Sequence, residues 1–248
     1  MVFLVGALPT LALATTAMEL DTRESGQPGR ASVAVQDGRM RIEQGAGWML
    51  YDSSKNSVFV VEPQRRSYLE LNQEEMRRYG KQLGAARAMV DEQLKGLLPE
   101  QRAAIEKMMG GETRGQPLLF QSTGKRREVA GHACTQGRLT RFNTKDRQYK
   151  VEENVCLAAP KDIGMSEADY ATVRKLYALM HEMQELGAPG ILPDFSEIDG
   201  VPLEVSNPNG DFQRLKSVTH ADLPAEKFTV PADYTREDVV QALKRYQQ

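Results

Sequence analysis

Alternation of apolar and polar residues between Met18 and Leu71 constrains the fold of this chain more than any other feature of its sequence. In "ASVAVQDGRMRIEQ", two alternating segments flank Asp37-Gly38, and an Asp-Gly pair in that setting is a strong signal for a two-residue hairpin turn. The following "GWMLYDSSKNSVFVVEPQRRSYLEL" repeats the plan with two further polar turns. We therefore expect an antiparallel meander with one apolar face and one polar face.

The periodicity changes after the meander. Apolar residues spaced three or four apart predict two amphipathic helices, long then short, across Gln73–Gly110. A second helical pattern covers Ser166–Gly187, where Ser166 and Asp169 resemble a capping box. Strands are expected around Pro117–Ser122, in the hairpin that contains both cysteines, and in "IDGVPLEVSNPNGDFQRLKSV"; a short terminal helix is expected at Thr235–Tyr246.

The order strands, helices, strands, helix, strands predicts one α+β domain of residues 18–248, without internal repeat or linker. The expected architecture is a large antiparallel sheet of about ten strands, with the helical segments packed over its apolar face.

Residues 1–17, "MVFLVGALPTLALATTA", are uncharged and mostly apolar. They are too few for a membrane-spanning helix and are typical of a signal peptide, with small residues suited to cleavage after Ala14 or Ala17. A buried N-terminal strand or helix is the alternative. The signal-peptide interpretation predicts a periplasmic or secreted protein without an integral membrane span.

The two cysteines, Cys134 and Cys156, lie on opposite arms of a predicted hairpin whose turn is Asn143–Asp146. Thiols in an exported compartment usually pair, and their near-symmetric positions about the turn place them close enough to do so, so we expect a disulfide. A zinc site is a weaker interpretation, because zinc usually needs four ligands and His132 with the two cysteines supplies only three. A redox pair would need C-x-x-C, and a Cys–His nucleophile would need a free thiolate.

The remaining chemistry-bearing residues give no catalytic constellation. Nucleophile-elbow, zinc-protease, P-loop and dinucleotide-binding motifs are absent from the sequence. Met180, His181 and Met183 could suggest copper, but methionine at helical spacing is more often part of the core. Adjacent carboxylates such as Glu152 and Glu153 face apart on a strand. A net charge of -2 gives no general attraction to nucleic acid, and no cofactor is expected.

The predicted helical segments are rich in methionine, which suits either a filled core or an apolar ligand of variable shape. The sequence alone does not decide between a filled core and a ligand cavity. If there is a cavity, its expected lining is Met76, Leu83, Val90, Leu94, Met108, Val173, Tyr177, Met180 and Met183.

The run "MRIEQGAGWMLYDSSKNSVFVVEPQRRSYLEL" resembles the repeated meander of the lipoprotein-localisation carriers of the LolA/LolB type. With "VAGHAC", "ENVCLA", "DGVPLEV" and "FTVPADY", the chain also resembles an uncharacterised group of secreted bacterial proteins with that fold. The resemblance implies a curved sheet forming an incomplete β-barrel, with helices in its concave face and an apolar cavity for acyl chains. The paired cysteines and the long Gln73–Gly110 insertion depart from the transport carriers.

Taken together, these features predict a non-enzymatic exported protein that binds a lipid, an acylated peptide or another apolar ligand between sheet and helices. The alternatives are a cell-envelope module that docks another protein and, less favoured, an exported hydrolase with a dispersed site.

Overall fold

The computed structural model describes residues 15–81, 119–143, 148–185, 195, 198–239 and 241–242. Within these ranges twelve strands form one sheet, in the spatial order β12-β6-β5-β4-β3-β2-β1-β11-β10-β9-β8-β7. The strands are β1 Thr16–Glu24, β2 Gln27–Gln36, β3 Arg39–Gln44, β4 Gly47–Asp52, β5 Ser57–Glu62, β6 Ser67–Leu71, β7 Leu119–Val129, β8 His132–Asn143, β9 Gln148–Ala158, β10 Val201–Ser206, β11 Phe212–His220 and β12 Thr235–Arg236.

Two longer α-helices accompany the sheet: α1, of which residues 73–81 are described, and α2, Glu167–Glu185; residues 239 and 241–242 are also helical. Short 3₁₀ turns occupy Pro63–Arg65, Pro160–Ile163 and Ala225–Phe228. No helix in the described part of the chain is long and apolar enough to cross a membrane.

Local turn chemistry explains the meander. Asp37 and Gly38 link β2 to β3 with φ angles of 48° and 74°, the left-handed pair that a two-residue hairpin needs. This confirms the predicted Asp-Gly turn. Ser25-Gly26 and Ala130-Gly131 have the same positive φ angles and join β1 to β2 and β7 to β8.

The predicted large antiparallel sheet is confirmed, as an open and uncurled sheet and not a closed barrel. Each neighbouring pair is antiparallel except β12 with β6, which is parallel. The curvature expected of an incomplete barrel is not seen. The longest-range pairing joins β1 to β11, where Met18 faces Val218, and it connects the N-terminal meander to the second half of the sheet.

The first strand begins at Thr16, so Thr16 and Ala17 pair with both neighbouring strands. Thr16 Oγ1 also donates to Asp169 Oδ2 of α2 at 2.9 Å. Cleavage after Ala14 would leave β1 intact, whereas cleavage after Ala17 would remove these residues. The signal peptide itself stays a prediction, because residues 1–14 lie outside the described ranges.

Helix α2 packs one apolar stripe against the sheet, as its spacing predicts. The amide of Asp169 donates to Ser166 Oγ at 3.1 Å, which satisfies an otherwise unpaired donor at the start of the helix. The buried stripe consists of Tyr170, Val173, Leu176, Tyr177, Met180 and Met183. It forms one hydrophobic core with residues of β1–β11.

The opposite face of the meander differs from the expectation of a polar surface. Leu50, Phe59 and Val61 are buried there against Phe228, because the segment that follows β11 folds back across this face. The path of this segment also explains a second difference from the sequence prediction. The terminal helix expected at Thr235–Tyr246 is present only in part: Thr235–Arg236 instead pairs with β6 as β12, whereas residues 239 and 241–242 are helical.

Candidate ligand cavity

A cavity of about 410 Å³ lies between α2 and the sheet. Its floor includes Met18, Ala31 and Val33 of β1 and β2, and α2 contributes Val173 and Tyr177 from the other side. These lining side chains are buried and apolar in character except for the Tyr177 hydroxyl. We call the region formed by this space and by Met18, Ala31, Val33, Val173 and Tyr177 the cavity side of α2.

A neighbouring part of the buried face of the same helix packs without comparable space. Only about 10 Å³ remains between Leu176 and Met180 of α2 and the strand residues Met49, Tyr51 and Val58. We call this region the filled side of α2. Loose packing of the whole helix therefore does not explain the cavity.

Further walls come from the strands of the second half of the sheet. Val201 and Val205 of β10 line the cavity, and Phe195 packs edge-on against Tyr177 with ring centroids 5.3 Å apart. Burial raises the pKa of Tyr177, and the neighbouring Tyr170 raises it further. Tyr177 therefore contributes a neutral phenol to the cavity.

Tyr170 fixes the chain that leads into β10. Its hydroxyl donates to Asp199 Oδ1 at 2.9 Å and accepts from the Gly200 amide at 2.6 Å. Burial raises the pKa of Tyr170, so the hydroxyl stays protonated and can serve both bonds. The phenol thus connects α2 to the start of the β10 wall.

Polar groups of the lining gather where β1, β3 and β10 end. Thr22–Glu24, Gln44 and the turn from Ser206 to Asp211 lie at this end, next to the aromatic ring of Phe212. We call it the mouth. Here the Arg23 guanidinium lies 5.2 Å from the centroid of the Phe212 ring. The cavity thus has an apolar interior and a polar end.

Glu153 lines the cavity from β9, opposite Leu139 of β8. Burial raises its pKa, and the negative charge of Glu152 raises it further. Glu152 itself is exposed, as expected for adjacent residues that face apart on a strand. The inward direction of Glu153 was not predicted from the sequence.

The residues expected to line a cavity separate into three groups. Val173 and Tyr177 lie on the cavity side, whereas Met180 lies on the filled side. Met76 of α1 and Met183 of α2 are buried in the main core. Leu83, Val90, Leu94 and Met108 lie outside the described residues, so their place in a lining stays a prediction.

The expected disulfide is confirmed: Cys134 and Cys156 are bonded, with Cα atoms 5.4 Å apart. They are diagonal across β8 and β9 and not directly opposite, because Cys156 faces Gln136. Residues 144–146 of the predicted turn lie outside the described ranges. His132 is engaged elsewhere, with its Nδ1 2.9 Å from the Asp162 carbonyl oxygen.

Comparison with known proteins adds little to this geometry. No protein-family model matches the chain, and no curated protein matches it. Two solved structures of PNGF-II, in space groups C2 and P21, align with 95% of this chain at 8% identity, with TM-scores of 0.46 and 0.39. The chain spans about a third of the length of PNGF-II, since the alignments cover 33% of it. The likeness is too distant to carry an argument about fold or function.

Proposed function

We propose that this protein is an exported, periplasmic or secreted binding protein that holds one lipid or other apolar molecule in the cavity beside α2. The observation that carries the proposal is the cavity itself. Its volume of about 410 Å³ falls within the range of about 300–1,000 Å³ typical of small-molecule sites.

The lining supports an apolar ligand of adaptable shape. Ala31, Val33 and Val173 present short side chains to the space, and Met18 and Met40 can change conformation to fit different chains. Burial of apolar surface contributes about 25 cal/mol per Å² and has no directional requirement, so such a lining favours apolar chains as a class.

Export is supported by the disulfide and by the apolar N-terminal sequence. The Cys134–Cys156 bond is of the kind that persists in oxidising compartments. We propose binding without catalysis. The sequence carries no nucleophile-elbow, zinc-protease, P-loop or dinucleotide-binding motif, and the charged lining residues gather at the mouth.

Native mass spectrometry tests the proposal. The protein is purified without detergent, measured intact, then measured again after organic extraction and after addition of 1-dodecanol. We expect one extractable apolar adduct, or uptake of one 1-dodecanol molecule by the emptied protein.

The matched control is Ala31→Phe, which places a large ring in the space beside a buried strand position. This variant should fold and bind neither the natural adduct nor 1-dodecanol. A clean protein mass before extraction, with no 1-dodecanol uptake afterwards, would contradict the proposed function.

A further inference from the structure

Glu153 presents a buried carboxylate oxygen that has no hydrogen-bond partner. Its Oε2 is inaccessible to solvent and makes no hydrogen bond to any other described residue. Glu153 also faces Leu139, which is 1% exposed, so both side chains lie on the face of the sheet that α2 covers. Leaving a carboxylate oxygen buried and unpaired is costly, unless a ligand supplies the missing donor.

The position of Glu153 along β9 places it at the mouth. Its neighbour Asn154 pairs with Ser206, the last residue of β10, and the turn to β11 begins directly beyond. An apolar chain lying in the interior would therefore bring its polar end to this level of the sheet.

The other charges of the lining leave an excess of carboxylates at the mouth. Glu24 accepts a hydrogen bond from Gln44 at 3.3 Å, and Asp211 accepts one from Asn207 at 3.2 Å. Arg23 is the single basic residue among the lining residues described. Three carboxylates and one guanidinium favour a cationic group over an anionic one.

We propose that the ligand is an apolar chain that ends in a primary amine, and that Glu153 receives its ammonium group. This inference rests on the proposed function and specifies the ligand class. An ammonium group offers three donors and a positive charge, so it can form the stronger, charge-assisted type of hydrogen bond with the Glu153 carboxylate, which lines the cavity. A free long-chain amine and an aminophospholipid head group share this chemistry.

Calorimetric titration with three probes of equal chain length tests the inference: dodecylamine, 1-dodecanol and dodecanoic acid. Wild-type protein should bind dodecylamine about tenfold or more tightly than 1-dodecanol, the ratio expected for one charge-assisted hydrogen bond. Dodecanoic acid should bind no better than the alcohol.

The decisive variant is Glu153→Gln, with Glu152→Gln as its matched control. Both remove one negative charge from β9, but Glu152 is exposed and outside the lining. Glu153→Gln should abolish the preference for the amine over 1-dodecanol, and Glu152→Gln should keep the preference.

The outcomes separate this inference from the proposed function. Binding of 1-dodecanol without preference for the amine, or a preference that survives in Glu153→Gln, would overturn the inference and leave the binding function intact. Tighter binding of dodecanoic acid would overturn it too. Failure of all three probes would overturn both proposals.

A second pair of probes identifies the source of the amine. Lysophosphatidylethanolamine and lysophosphatidylglycerol share an acyl chain and a phosphate, and only the first carries an amine. A Glu153-dependent preference for the first supports an aminolipid ligand. Binding of dodecylamine with neither lysolipid bound supports a free long-chain amine.

Discussion

Two neighbouring parts of the buried face of α2 have very different surroundings. On the filled side, Leu176 and Met180 leave only about 10 Å³ above the sheet, whereas on the cavity side about 410 Å³ remains near Val173 and Tyr177. The same helix and the same sheet border both regions.

Side-chain volume accounts for the difference. Met40 and Ile42 border both spaces, but Met49 and Tyr51 line only the filled side, whereas the short side chains of Ala31 and Val33 line only the cavity side. Because protein interiors otherwise pack to the density of organic crystals, space bordered by short side chains at a polar mouth is the arrangement on which the proposed binding function rests.

The largest expected effect concerns truncation on the filled side. Leu176→Ala should lower the free energy of unfolding by about 3 kcal/mol, since the removed atoms leave a cavity in a close-packed region. Leu20→Ala, at a half-buried cavity position, should cost about 1 kcal/mol or less. Urea denaturation measures both, and equal losses would contradict the distinction between the two sides.

Covalent support differs between the regions as well. The disulfide joins β8 to β9, the strand that carries Glu153, whereas the filled side has no such link. Replacing Cys134 and Cys156 with serine should lower the free energy of unfolding by about 3 kcal/mol. Denaturation measures the loss, and titration of two reactive thiols in the unreduced wild-type protein would disprove the bond.

Enlarging side chains should give opposite results on the two sides. Val58→Phe overfills the filled side and should cost about 1–3 kcal/mol. Ala31→Phe enters the cavity, so its stability should change by less than about 1 kcal/mol while 1-dodecanol binding is lost. Calorimetry measures both properties, and a destabilised Ala31→Phe that still binds would show that the space is not the ligand site.

The smallest expected effects concern two acids with opposite pKa shifts. Burial raises the pKa of Glu153. Burial also acts to raise that of Asp52 in β4, but hydrogen bonds from Ser54 and the charges of Arg39 and Lys55 outweigh it and lower the pKa.

The two substitutions should therefore change stability in opposite directions. Glu153→Gln should stabilise the protein at neutral pH, with a difference from wild type that disappears below the ordinary glutamate pKa of 4.5. Asp52→Asn should destabilise it at neutral pH, with a difference that persists until the pH falls through the lowered pKa of Asp52. Denaturation at several pH values measures both, and shifts of equal sign would contradict these assignments.

Much of the fold follows from local sequence patterns. The Asp37-Gly38 turn, the apolar stripe of α2 and the Ser166 cap depend on residues close together in the chain, and all three are present. The disulfide was also predictable, because symmetric spacing about a turn depends only on the hairpin.

Features set by distant contacts were not predictable. The charged "GKRRE" segment lies within β7, with Gly124 at a φ of 68°, and its pairing depends on β8. The pairing of β12 with β6 depends on the chain returning across the sheet. A glutamate such as Glu153 is expected to be exposed. The β8–β9 register shifts between Leu139, which faces Glu153, and Thr140, which faces Val151, and sequence alone does not reveal such a shift.

The most direct test of the central claim is a crystal structure determined under xenon pressure. Xenon enters apolar cavities that side chains leave open. We predict xenon between Ala31, Val33 and Val173 and none between Leu176 and Met49. Side chains of the protein filling the cavity side, or xenon distributed equally between the two sides, would contradict the account.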